Sequence, residues 1–154
     1  RRVLFRSALV GGEALGSNLV VEDSCDFDLR PFNTIVQRKQ GITRNDLNME
    51  MLSADIEAFH FDFQNEAFHP AESKLLRIPV LASGRCYGLI QWIRLQMDEN
   101  TVFQNHPSIK AAASGWQHLA YVFDAPVNLS AGQVVRISAV HNRIFPWFTF
   151  DGVE

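Results

Sequence analysis

Apolar positions along this chain gather in short runs, alternating or continuous, separated by turn residues. That is the pattern of β-strands rather than of long helices. The clearest stretch is Ser114–Val140, SGWQHLAYVFDAPVNLSAGQVVRISAV. After Trp116, the residues Gln117, Leu119, Tyr121 and Phe123 fall on one face and His118, Ala120 and Val122 on the other. This predicts a strand, stopped by Asp124-Ala125-Pro126 and followed by a loop over Asn128 to Gly132, where Gly132 can take a positive φ. Val134, Val135, Ile137 and Val140 begin a second strand, so the stretch reads as two strands joined by a turn. Such a pair needs more strands to be stable, and the flanking sequence supplies them.

Phe59, Phe61 and Phe63 alternate with Ala58, His60 and Asp62, which predicts a strand with one core face. Leu75–Ala82 is a further strand in which Pro79 argues for an edge position or a bulge. Cys86–Met97 is another, buried at Leu89, Ile93 and Leu95, and Phe145–Phe150 is the last, interrupted by Pro146. Between Pro31 and Met51 the apolar residues thin out and Arg38, Lys39, Arg44, Asp46 and Glu50 appear. Phe32, Ile35 and Val36 have helical spacing there, and Thr43-Arg44-Asn45-Asp46 can cap a short second helix through Leu47 and Met51. The predicted fold is all-β, an antiparallel barrel or sandwich with a short helical arm inserted at about residues 31–51.

Composition narrows the class. The 154 residues are 47% hydrophobic and 20% charged, which suits one globular domain with its own core. Arg1–Ser7, RRVLFRS, reads as the translated end of a sequencing adaptor and is expected to stand outside a domain over residues 8–154. Setting aside its three arginines takes the formal net charge from −3 to −6, against a nucleic-acid partner. No run approaches the roughly 18 apolar residues of a membrane-spanning helix. Cys25 and Cys86 make no metal or redox motif and read as reduced thiols of a cytosolic protein, with a single disulfide left open.

Four segments carry a family resemblance. Ser114-Gly115-Trp116 and the hairpin after it resemble the Thr-His-Trp loop and following hairpin in the C-terminal barrel of protein arginine methyltransferases. Asp26-Phe27-Asp28-Leu29-Arg30-Pro31-Phe32-Asn33 resembles the segment that opens that family's dimerisation arm. Gly88-Leu89-Ile90-Gln91-Trp92 and Gln104-Asn105-His106-Pro107 resemble a barrel strand and a loop of the same domain, and all four follow family order. The resemblance implies a truncated, bacterial-like member: the C-terminal barrel with its arm, cut before the cofactor-binding domain. It further implies a parent that uses S-adenosylmethionine, dimerises, and takes a protein or peptide substrate. Ser114, Trp116 and His118 would line the substrate groove. Phe32, Ile35, Val36, Leu47 and Met51 would belong to the arm, partly exposed without its docking partner or folded back onto the local core.

The chemistry within this chain is sparse. None of the nine glycines forms G-x-G-x-x-G, so no loop for a nucleotide or S-adenosylmethionine is present. Glu13 and Glu22 resemble the family's two-glutamate loop but lie too near the arm-like segment, and read by default as solvated surface residues. Gly115 takes the place of the family histidine and has no side chain to hydrogen-bond, so no catalytic residue is assigned; His118 is a substitute on the face opposite Tyr121. His60, His69, His106, His118 and His141 lack metal-ligand spacing, and Ser83-Gly84 and Ser114-Gly115 lack the context of a nucleophile elbow. A fragment with these features is expected to be inactive alone. The rival reading is a free-standing carbohydrate- or peptide-binding module with Trp92, Trp116 or Trp147 as its platform; a small metal-dependent jelly roll would need several histidines to converge.

Overall fold

The computed structural model describes residues 1–12, 23–35, 38–42, 49–109 and 115–154. Among the described residues twelve strands follow one another: β1 (Arg2–Gly11), β2 (Asp23–Ser24), β3 (Phe27–Asp28), β4 (Lys39–Ile42), β5 (Glu50–Met51), β6 (Ile56–Asp62), β7 (Glu72–Pro79), β8 (Gly84–Gln96), β9 (Val102–Gln104), β10 (His118–Leu129), β11 (Val134–His141) and β12 (Pro146–Val153). A single 3-10 turn covers Arg30–Thr34, with Pro31 in its first turn. The largest sheet has the order β4-β10-β8-β1-β5, with β6 also alongside β1 and β9 alongside β8; a second is β12-β11-β7, and β2 and β3 pair as a two-stranded sheet. All the pairings are antiparallel, as an all-β barrel or sandwich requires.

The sheets enclose a core in which Leu9, Phe59, Leu89, Tyr121, Ile137 and Phe148 are buried. The opposite face of the large sheet is buried as well, at Ala8, Val10, Tyr87, Ile90, Trp92 and Ala120. Neighbours in sequence thus supply both clusters, which is why β1, β8 and the start of β10 read as continuous apolar runs. On one side the two sheets are joined through Leu52 and Ser53. Leu52 N–H donates to Leu9 O at 2.9 Å, Leu81 N–H donates to Leu52 O at 2.8 Å, and Ser53 bridges to Val80.

Several expectations change here. Arg2–Ser7 does not stand outside the fold: it forms most of β1, paired with β8 on one side and β6 on the other. Its arginines are matched by carboxylates, Arg2 with Asp62 and Arg6 with Asp55 at 2.7 Å, which is how a basic stretch sits in a central strand. Asp124-Ala125-Pro126 does not end β10; the chain bulges there, between Val122 and Val127, and pairing with β8 resumes. Nor do β10 and β11 form a hairpin. The turn exists, with Gly132 at φ 93°, yet β10 pairs with β4 and β8 while β11 pairs with β7 and β12. The turn therefore carries the chain from one sheet to the other.

Strand β6 also departs from its simple alternation. Phe59 is fully buried and Phe61 half-buried, Phe63 lies past the strand end and is exposed, and Ala58 and Asp62 of the other face are buried. A bulge in β6 at Ala58, opposite the step from Phe5 to Arg6 of β1, shifts the pairing midway along this strand. Pro79 lies in β7, an edge strand, and Pro146 begins β12 rather than interrupting it. In the arm region β4 occupies part of the span expected to be helical, and the proposed second helix from Thr43 lies largely outside the described residues.

Asp62 ties the end of β6 to the following turn. It accepts from Asn65 Nδ2 at 2.9 Å, from the backbone N–H groups of Gln64 and Asn65, and from Arg2 Nε at 3.1 Å. These bonds, that from the Asn65 side chain foremost, hold its carboxyl well below the usual carboxylate range. A depressed folded-state pKa stabilises the fold above the unfolded value near about 4 and is lost as pH falls through the folded one. Asp62→Asn is expected to melt lower than wild type at pH 7, with the gap narrowing below about pH 4. Melting curves that stay parallel down to pH 2.5 would contradict this role.

Candidate functional site

The loop between β9 and β10 is organised by Asn105, 1% exposed. Its Oδ1 accepts from Ile93 N–H at 2.9 Å, its own N–H donates to Ile93 O at 3.3 Å, and its Nδ2 donates to Trp116 O at 3.2 Å. Its carbonyl lies 2.6 Å from His118 Nε2, and since a carbonyl only accepts, that ring nitrogen carries the proton. One buried amide thus fixes both ends of the loop. The sequence contains Asn105 in a family-like segment without revealing this role; a buried polar residue finds its partners only through the fold.

Trp116 is 58% exposed at this loop, whereas His118 is buried. The histidine therefore does not line an open groove; it is committed to Asn105. Ser114 lies outside the described residues. Gly115 is exposed, and a Cβ placed on it would meet no heavy atom within 4 Å, so the position has room for a side chain that it lacks. His106 packs edge-on against Trp92 with ring centroids 4.6 Å apart, and its Nδ1 accepts from Ser108 N–H at 3.1 Å. Burial, above the other influences, holds its pKa below the ordinary histidine value.

The three tryptophans do not form one platform. Trp92 is buried at 1% exposure, leaving Trp116 and Trp147 as the accessible rings. Of the arm residues, Phe32 and Ile35 are exposed, while Met51 packs half-buried against the outer cluster; Val36 and Leu47 lie outside the described residues. Glu13 and Glu22 lie there too. Cys25 is an exposed free thiol and Cys86 a buried one, which burial pushes up to about 11. Among the described residues no group of three or more His, Cys, Asp or Glu side chains is placed to hold a metal ion. No described helix is long and apolar enough to cross a membrane.

A second concave feature runs between β10 and β12. This groove of about 380 Å³ is walled by Tyr121–Val127 and Trp147–Phe150, with Arg38 at its side. The Tyr121 hydroxyl lies 2.9 Å from Gln91 Oε1 and 3.0 Å from Pro146 O, and burial raises its pKa far above the ordinary phenol. The groove offers hydrogen bonds, aromatic surface and a cation, and no nucleophile paired with a base.

The architecture has a counterpart among solved structures. One chain of the Trypanosoma brucei PRMT1 enzyme-prozyme heterotetrameric complex with AdoHcy superposes with a TM-score of 0.64 at 11% sequence identity. The likeness is one of fold. It covers 99% of this chain and 56% of that one, so the chain spans a little over half the length of the protein it matches. No protein-family model matches the sequence, and no curated protein does.

Proposed function

We propose that this chain is the barrel portion of a protein arginine methyltransferase-like protein, forming one wall of its substrate groove and contributing its dimerisation arm. The observation that carries this reading is the fit of nearly the whole chain onto just over half of a PRMT1 chain. The exposed Trp116 supports it, standing on the loop whose Ser114-Gly115-Trp116 order resembles the family's. In the parent protein a separate domain would bind S-adenosylmethionine, and a methyl group would pass from its sulfonium to a guanidinium nitrogen by in-line displacement, with loss of a proton. On this reading the groups that bind the cofactor and polarise the acceptor belong to that separate domain. With Gly115 bare and His118 engaged by Asn105, its loop serves as a wall and supplies no acid–base relay. The parent is read as a cytoplasmic homodimer acting on protein or peptide.

The test starts from the source DNA, read upstream of the codon for Arg1, since Arg2–Ser7 belongs to β1. The expected result is an open reading frame that continues into a strand, a glycine-rich turn and an acidic residue. The protein from that frame should then transfer labelled methyl from S-adenosylmethionine to arginine-containing protein. The 154-residue chain alone should show neither transfer nor cofactor binding by calorimetry. A start codon directly before Arg1, or tight cofactor binding by this chain, would overturn the proposal. The exposed rings of Trp116 and Trp147 favour the second reading, a carbohydrate- or peptide-binding module, which ligand-dependent tryptophan fluorescence would detect.

A further inference from the structure

The barrel closes on one side through Leu52 and Ser53 and opens on the other, where β10 faces β12. Consecutive residues line both walls of that groove, Trp147 to Phe150 and Tyr121 to Val127, including neighbours whose side chains point to opposite faces. A groove lined in this way runs along strand edges rather than across a sheet face. Among the described residues β12 pairs only with β11 and is an edge strand, and β4 accompanies β10 over His118–Tyr121, with Val122 N–H donating to Arg38 O just beyond at 2.8 Å. Every second residue of an edge strand turns its N–H and C=O away from its neighbour, toward whatever lies alongside.

Arg38 gives the groove its sign. Its Nη1 is buried with no hydrogen-bond partner among the described residues, and its Nε is 3.4 Å from Asp124, a side chain 94% exposed and so a weak competitor. Lys39 is not part of the groove's lining; its Nζ lies 5.4 Å from the ring centres of both Tyr121 and Phe145. Phe123 and Phe150 pack at 4.8 Å across the seam and supply apolar contact from both walls. A half-buried guanidinium with one donor unused, set beside strand edges, favours a carboxylate carried on extended backbone.

We propose that the seam between β10 and β12 binds an extended acidic peptide segment, which adds as a strand along β12 and places a carboxylate on Arg38. Four β12 residues at about 3.3 Å each set the length of the contact. This surface includes none of Trp116, Gln117 and His118, so it is separate from the loop assigned to the substrate wall.

The probe is a fluorescein-labelled, end-capped hexapeptide of sequence Thr-Val-Asp-Val-Thr-Val, compared with the same peptide carrying lysine for aspartate. Anisotropy with the 154-residue chain is expected to show binding of the acidic peptide and at least about tenfold weaker binding of the lysine one. Amide shifts should fall on Trp147–Phe150. Arg38→Gln should remove the discrimination, and Asp124→Asn, which frees Arg38 from its internal partner, should tighten acidic binding severalfold. The second variant alters only an exposed side chain and keeps the test valid if the first disturbs the fold. The proposal fails if the two peptides bind alike, if neither binds at millimolar concentration, or if shifts map to Trp116 or the arm. It fails equally if sedimentation shows a second copy of the chain filling the seam.

Discussion

Gly88→Ala is expected to destabilise the chain by more than about 3 kcal/mol and to leave it largely unfolded at modest urea concentrations. Gly88 lies inside β8, opposite Val10 on one side and Val122 on the other. A Cβ on it would collide with Tyr121 O and would lie 3.0 Å from Val122 Cα and 3.1 Å from the Tyr121 carbonyl carbon. These are backbone atoms, so no rotamer change relieves the clash. Overpacking that side chains can absorb costs about 1–3 kcal/mol. Relief here would require lifting β10 off β8 and losing the register that places Tyr121 opposite Leu89. Gly84→Ala is the matched control, because its nearest obstacle is Leu52 Cδ2 at 2.9 Å, the end of a side chain that can turn aside. Urea unfolding of both variants checks the argument. A Gly88→Ala midpoint close to that of Gly84→Ala would mean that β8 and β10 approach less closely than the structure has them.

That position shows what the sequence makes legible. The run from Cys86 announces a strand by its continuous apolar residues, and β8 and β12 lie close to where pattern places them. A glycine within such a run hints at close backbone approach, but nothing local says which strand approaches. The same limit explains the turn after β10, whose residues are readable while the pairing of its two strands is not: both could face a partner anywhere in the sheet order. The basic start of β1 looks foreign because Arg2 and Arg6 break the apolar pattern, and their carboxylates, Asp62 and Asp55, are far away in sequence. The exposure of Trp116 and burial of Trp92 are likewise decided by packing, since parity along a strand buried on both faces distinguishes nothing.

The candidate site was less legible than the fold for a related reason. Asn105 controls the Trp116 loop through four side-chain and backbone contacts that exist only once β8, β9 and β10 are assembled. The groove at the seam depends on which strands remain at edges, a property of topology alone. Both candidate features lie on the margins of a fold whose interior is filled by side chains, where sites are commonly grafted.

Trp92→Ala is expected to cost about 3–5 kcal/mol, the usual range for deleting a buried aromatic side chain. Trp92→Phe should cost far less than its loss of volume suggests. The indole is buried among the outer cluster, yet its Nε1–H has no hydrogen-bond partner among the described residues. An unsatisfied buried donor costs about 1–3 kcal/mol, so phenylalanine removes a penalty while losing part of the packing. The two variants also separate the core role from a ligand-platform role. Trp92 lies beneath His106, and truncation opens space under the segment from Asn105 to Ile109. Urea denaturation followed by circular dichroism should therefore show a large loss for alanine and a small one for phenylalanine, with Trp116 emission shifting only in the alanine variant. Equal losses would mean that the indole N–H is satisfied in solution. If neither variant lost stability, Trp92 would not belong to the core, and the platform reading would regain its third ring.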